Sequence, residues 1–167
     1  IGDTSSAMGP GLAVSGSNVH IVWDPSNGSN AYAKSTDGGN TFSSPISLGG
    51  IARPNIGVSG SWVHIVGWTG NYGSPPDSLA YYRSTNGGNT FESSKVIAPG
   101  GIVSSIAVSG HLDNYVHVLS RQNDGDSVYY VRSTDNGQVF EGATAISSGS
   151  LVDGTGNSKN IAASGSN

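Results

Sequence analysis

A chain of 167 residues is long enough for one globular domain with a substantial core. It carries 7 basic and 11 acidic side chains, a net charge of −4, and so offers no cationic footprint for a polyphosphate; nucleic-acid binding is excluded on that ground. Cysteine is absent, which excludes disulfides and thiolate metal sites, and no apolar run is long enough for a membrane-spanning helix.

Along the chain, the first recognisable element is the apolar run Leu12-Ala13-Val14, which reads as a strand, turned by Ser15-Gly16-Ser17 into a second strand at Val19-His20-Ile21-Val22. A turn-like loop, Asp24-Pro25-Ser26-Asn27-Gly28, leads to an aromatic strand, Ala31-Tyr32-Ala33. Then comes the octapeptide Ser35-Thr36-Asp37-Gly38-Gly39-Asn40-Thr41-Phe42, whose aromatic is expected to begin a fourth strand. The same order returns from Ile56-Gly57-Val58 through Val63-His64-Ile65-Val66 and Ala80-Tyr81-Tyr82 to Ser84-Thr85-Asn86-Gly87-Gly88-Asn89-Thr90-Phe91. It returns again from Ile106-Ala107-Val108 through Tyr115-Val116-His117-Val118 and Val128-Tyr129-Tyr130 to Ser133-Thr134-Asp135-Asn136-Gly137-Gln138-Val139-Phe140. The octapeptides start 49 residues apart both times. A further copy begins at Ile161.

A period of about 40 to 50 residues, each with four short strands, is the signature of β-propeller blades. The expected fold is therefore all-β, a propeller of four-stranded antiparallel blades. Blade 1 is expected over residues 1–49, blade 2 over 50–99, blade 3 over 100–159, and the first strand of a further blade over 160–167. Three blades do not close a ring of the usual size. The chain is thus expected to be half of a six-bladed ring or a fragment of a longer propeller, completed by further blades of the same chain or by a second copy.

In the octapeptides, Asp37, Asn86 and Asp135 are placed to accept hydrogen bonds from backbone N–H groups just downstream, while Gly39, Gly88 and Gly137 supply positive φ. Ser35, Thr41 and Phe42 complete the first copy, Ser84, Thr90 and Phe91 the second, and Ser133 and Phe140 the third. These octapeptides resemble the Asp-box (BNR repeat), S-x-D-x-G-x-T-aromatic, of the sialidase-like superfamily of β-propellers. Asn86 replaces the Asp in the second copy and Val139 the Thr in the third. The resemblance implies that the box acids shape turns and do no chemistry.

Alternating strand direction sorts the connections onto two faces. The Ser-Gly turns and octapeptides share one, so function is expected on the other, at positions where the repeat is broken. His20, His64 and His117 occupy one repeated place, as do Lys34, Arg83 and Arg132, and both sets read as framework. The repeat is broken at Asp24, Trp68 and Arg121, which align at the ends of the second strands, and at Arg53, which aligns with Gly9 and Val103. Tyr72 and Asp124 lie in neighbouring loops. These six are the ligand-binding candidates. Trp68 and Tyr72 suit a sugar-stacking platform or the packing of their loop, and Asp24, Asp124 and Asp126 suit either acids or ordinary turns. No metal or cofactor is expected; Asp124-Gly125-Asp126 supplies too few oxygens for calcium.

The resemblance implies a carboxylate held by arginines, with Arg53-Pro54 similar to the arginine region at the start of an inner strand, and a Tyr-Glu nucleophile that this sequence does not supply. Glu92 and Glu141 follow the octapeptide aromatics, at the opposite end of the blade. The expected function is a secreted or cell-surface propeller module for binding or scaffolding, with a carbohydrate or glycoprotein as its ligand class and no complete catalytic set. One alternative is part of an exo-sialidase-like glycoside hydrolase. A second is a structural subunit of a surface layer or filament.

Overall fold

The computed structural model describes residues 8–25, 30–71, 74–99, 103–109, 114–121 and 127–147. The expected strand at 160–167, together with Tyr72, Asp124 and Asp126, lies outside them. Every regular element described is a β-strand. The first sheet is ordered β1 (Met8–Ser15), β2 (Asn18–Asp24), β3 (Asn30–Ser35) and β4 (Ile46–Gly49). The second runs β5 (Ala52–Ser59), β6 (Trp62–Asn71), β7 (Ser74–Ser84) and β8 (Lys95–Pro99), and the third β9 (Val103–Val108), β10 (Val116–Arg121), β11 (Val128–Ser133) and β12 (Thr144–Ser147). All ladders are antiparallel. The all-β class and four-stranded antiparallel sheets are thus as the sequence pattern dictates. One detail differs. Phe42, Phe91 and Phe140 do not begin the fourth strands, which start later at Ile46, Lys95 and Thr144. The aromatics belong to the octapeptide turn, where their rings pack between sheets.

Strand alternation splits each sheet into two apolar faces, and the sheets stack through them. One core joins the first two sheets: Val22, Tyr32, Leu48 and Ile51 from one side meet Ile56, Val63, Ile65 and Ala80 from the other. A second core repeats the arrangement, with Val66, Leu79, Tyr81 and Ala98 against Ile106, Val116, Val118 and Val131. Burying a side chain of this size contributes roughly 1.5–3 kcal/mol, so the two cores account for the stacking. The strands β1, β5 and β9 lie side by side and allow close approach: a Cβ added at Gly57 would touch Val108 and Ile106 of the next sheet.

The octapeptide turns are held as their residue types require. The Ser35 hydroxyl donates to Asp37 at 2.6 Å and accepts from the Gly39 N–H at 2.9 Å. Asp37 in turn accepts from the Thr41 N–H at 2.9 Å and the Thr41 hydroxyl at 2.6 Å. Those donors hold the Asp37 carboxyl at a pKa of about 2, Ser35 contributing most. Asn86 and Asp135 accept from the N–H groups of Thr90 and Val139 in the same way, at 3.0 and 2.9 Å. Each turn is also tied to the hairpin between the first two strands of its sheet, through Gly38 N–H to Ser17, Gly87 N–H to Ser61 and Asn136 N–H to Asn114. Turns and hairpins therefore share one face, as strand alternation required.

Candidate functional site

The opposite face begins with the register of the inner strands. In the second sheet Ala52 pairs with Trp68 and Asn55 with Val66, so Arg53 and Pro54 together oppose Gly67 in a β-bulge. Gly67 is required there, because a Cβ would run into the Ile51 side chain and the Ala52 carbonyl. The first sheet has the same irregularity between Met8 and Gly11, whereas in the third Val103 pairs with Arg121 without a shift. The bulge carries Arg53 away from the ladder position that residue count alone gives it, so that Val103 stands level with Ala52.

Arg53 adopts φ 52°, one of three non-glycine residues with positive φ among the described residues. The other two, Asn114 and Asn136, are of a type that tolerates this region and sit in the hairpin and octapeptide turns. Arginine does not tolerate it as readily, and the conformation costs roughly 1–2 kcal/mol. The Gly-Pro pair at 9 and 10 occupies the matching bulge of the first sheet, where the second sheet carries Arg-Pro at 53 and 54.

The register sets Asp24, Trp68 and Arg121 level with one another, at the ends of β2, β6 and β10. Only Trp68 and Arg53 share a sheet. They are brought close because Trp68 faces Ala52, the residue before Arg53. Asp24, Arg53 and Arg121 are half-buried. Trp68 is 6% exposed; of the two roles open to it, a stacking platform and packing, this burial suits packing beneath the bulge. The candidates therefore form a row at one end of three successive sheets, with the Arg53–Trp68 corner as its built part. Among the described residues no group of His, Asp or Glu is arranged to hold a metal ion.

The repeated His and cation positions have a role that residue spacing did not reveal. His20 Nδ1 lies 2.6 Å from the Tyr32 hydroxyl, His64 Nδ1 2.6 Å from Tyr81 and His117 Nδ1 2.8 Å from Tyr130. The phenol of one sheet then reaches the octapeptide of the next: Tyr32 meets Phe91 edge to face at 4.9 Å, and Tyr81 meets Phe140 at 4.7 Å. A Cβ on Gly88 or Gly137 would overlap these hydroxyls. Lys34 donates to the Gly87 carbonyl and Asn89 across the first junction, while Lys95 donates to the Gly137 and Gln138 carbonyls across the second. Arg83 and Arg132 turn to bidentate pairs with Glu92 and Glu141, so both glutamates are partners of the framework. Desolvation, reinforced by Arg83, lowers the His64 pKa to about 3 and keeps the ring neutral.

No family model matches this chain and no curated protein does. Solved structures do. The Hadza microbial sialidase Hz136 superposes with a TM-score of 0.55 at 13% identity, over 84% of this chain and 33% of that one. Zg3597, a family 117 glycoside hydrolase from Zobellia galactanivorans, gives 0.55 at 10% identity over 85% and 46%. The catalytic domain of the Coprinopsis cinerea GH62 α-L-arabinofuranosidase gives 0.54 at 15% identity over 89% and 54%. The chain thus spans between a third and about half of each. At such identities the likeness concerns the fold, and it identifies the three sheets as successive blades of a β-propeller.

Proposed function

We propose that this chain is part of a secreted or cell-surface propeller module that binds a carbohydrate bearing a carboxylate, with Arg53 as the anion contact. The observation that carries this reading is the positive φ of Arg53 in a bulge whose counterpart holds glycine. Strain of this kind persists where the position serves something other than stability. A guanidinium suits a carboxylate because its paired N–H groups match the two oxygens. Arg121 and Asp24, level with the Arg53–Trp68 corner on the neighbouring blades, are the candidates for further polar contacts, and Tyr72 and Asp124, outside the described residues, are the remaining candidates. The sequence resemblance of the octapeptides to the Asp-box, and the propeller neighbours, a sialidase, a glycoside hydrolase and an α-L-arabinofuranosidase, support carbohydrate as the ligand class. In this reading the blades run over 1–49, 50–99 and 100–159, and 160–167, outside the described residues, is proposed as the first strand of a further one.

Hydrolysis is the second reading, favoured by those same neighbours. Retaining or inverting chemistry needs two carboxyl groups flanking the bond. At this end of the blades the described strands carry Asp24 in β2 and Asp77 in β7, on neighbouring sheets; Glu92 and Glu141 are paired at the other. Titration of the chain with free sialic acid and galacturonic acid tests binding, and a fluorogenic sialoside tests turnover. Binding without turnover, lost in Arg53→Ala, is expected. Turnover lost in Arg53→Ala replaces the binding reading with the hydrolase. No binding of either sugar removes both.

A further inference from the structure

Between β4 of the first sheet and the octapeptide turn of the second runs a cleft of about 320 Å³. It opens along the last strand of its sheet, whereas Arg53 lies on β5, the first strand of the next. Leu48, Tyr82 and Phe91, buried or half-buried against the first core, form its apolar part. The exposed Ser47, Glu92 and Ser93 carry its polar groups. Every residue that lines it belongs to these two neighbouring sheets, so the cleft is built entirely within the chain.

The junction between the second and third sheets repeats the place with other residues. Leu48, Phe91 and Glu92 correspond there to Ile97, Phe140 and Glu141 and keep their character. The remaining positions change. Lys95, which reaches across to the Gly137 and Gln138 carbonyls, stands where the first junction has the shorter Ile46. Val96, 64% exposed, corresponds to Ser47, Val131 to Tyr82, and Gly142 to Ser93. The first junction therefore gives up a cation that spans it and gains three side chains bearing hydroxyls. Tyr82 also breaks the repeat toward the first sheet, where its counterpart is Ala33. Its hydroxyl reaches Gly49, at which an added Cβ would stand 3.2 Å away, so the phenol is laid against the first sheet.

We infer that this cleft is a carbohydrate site of its own, taking one neutral monosaccharide unit whose ring lies on Tyr82 and whose adjacent hydroxyls donate to Glu92. Arg83 holds that carboxylate in place, its Nε donating to both oxygens at 3.0 Å and a terminal N–H to one of them at 2.8 Å. A carboxylate has about four acceptor positions, so these two donors leave about two for a ligand. The pair also decides the charge of the occupant: a sugar carboxylate would face Glu92, while an amine would find that charge already matched by Arg83. An aromatic ring beside a fixed acceptor and two serine hydroxyls suits a molecule with one apolar face and a rim of hydroxyls. The volume is at the lower end of small-ligand sites, about 300–1,000 Å³, which fits one sugar unit. No lining residue is shared with the Arg53 corner, so this inference stands or falls separately from the acidic-sugar reading.

NMR titration of the chain with D-galactose, D-glucose, D-mannose and L-arabinose tests it, with D-galacturonic acid as the acidic comparison. At least one neutral sugar should shift the Glu92 and Ser93 amide signals saturably, with a Kd of about 1–10 mM, as befits about a dozen non-hydrogen atoms in an open cleft. Galacturonic acid should act on these two signals about ten-fold more weakly or not at all. Two variants carry the residues of the other junctions into the cleft: Tyr82→Val removes the ring, and Ile46→Lys lays an amine across the opening and serves should Tyr82→Val loosen the core. Each should weaken the neutral sugar about ten-fold or more. No saturable shift with any of the four neutral sugars up to about 100 mM, a titration that neither variant weakens, or galacturonic acid shifting these amides as strongly as the best neutral sugar would each overturn the site.

Discussion

The Tyr32 hydroxyl rests against the α-carbon of Gly88, in the next blade, and there is no room between them for a methyl group. The glycine thus has two duties, a φ of +75° and a close approach, whereas Gly39 has only the first, with a φ of +91°. Gly88→Ala should cost about 3–4 kcal/mol, the sum of overpacking and backbone strain, and Gly39→Ala about 1 kcal/mol. Urea denaturation of the two variants makes the comparison. Equal losses would mean that the junction between blades 1 and 2 is not built on this contact.

The buried histidines set an acid limit on stability. His64 is held neutral to about pH 3, and His20 and His117 are also lowered, chiefly by desolvation. Their unfolded values lie near 6.5. As pH falls below that, the unfolded chain takes up protons that the folded chain does not, so stability declines. His64 alone gives a slope of about 1.4 kcal/mol per pH unit. Asp37 adds a second decline between about 3.8 and 2, where its carboxyl is protonated in the unfolded chain first. Unfolding free energies that are flat between pH 4 and 6 would contradict the buried, neutral assignment.

Asn86 stands where the other octapeptides have Asp. Its amide nitrogen already donates to the Thr90 hydroxyl at 2.8 Å, while Asp37 accepts from the hydroxyl of Thr41. Asn86→Asp should reverse that bond, raise Tm at pH 7 and lose the gain as pH falls through the acid range. Thermal melts at pH 7 and pH 2.5 are the check; a lower Tm at pH 7 would show that the amide is the better fit.

Ile46 and Lys95 occupy the same register position, opposite Tyr32 and Tyr81 respectively. Lys95 spans its junction over the rings of Tyr81 and Phe140. The shorter Ile46 leaves a cleft of about 320 Å³, lined by Tyr82, Phe91 and Glu92 among others. Ile46→Lys should seat its amine on the Gly88 carbonyl and raise stability by about 0.5–1 kcal/mol. A drop in stability, with Lys34→Met unchanged in effect, would show that the two junctions are not equivalent.

How much was legible in the sequence follows from what each feature depends on. The blades were readable because the strand pattern and the turn residues recur together, and Ser35, Asp37 and Gly39 are bonded as their types dictate. The Tyr–His pairs were not, because Tyr32 and His20 meet only through the register of β2 and β3, and the phenol's other neighbour lies in a different blade. Lys34 read as a plain strand end for the same reason: its acceptors are more than fifty residues away. At the candidate site, residue counting placed Arg53 but could not see the bulge, since the signal lies in the pairing of Ala52 and Asn55 with β6. It also left Trp68 open between surface and interior, and only packing decides that.

The proposed role of Arg53 is to meet a ligand at the expense of stability. Arg53→Gly removes the side chain and the strain together, so urea denaturation and calorimetric titration with sialic acid and galacturonic acid on this one variant measure both sides. Stability higher by about 1 kcal/mol with binding abolished is the predicted result. Unchanged binding, or a variant less stable than the parent, would contradict it.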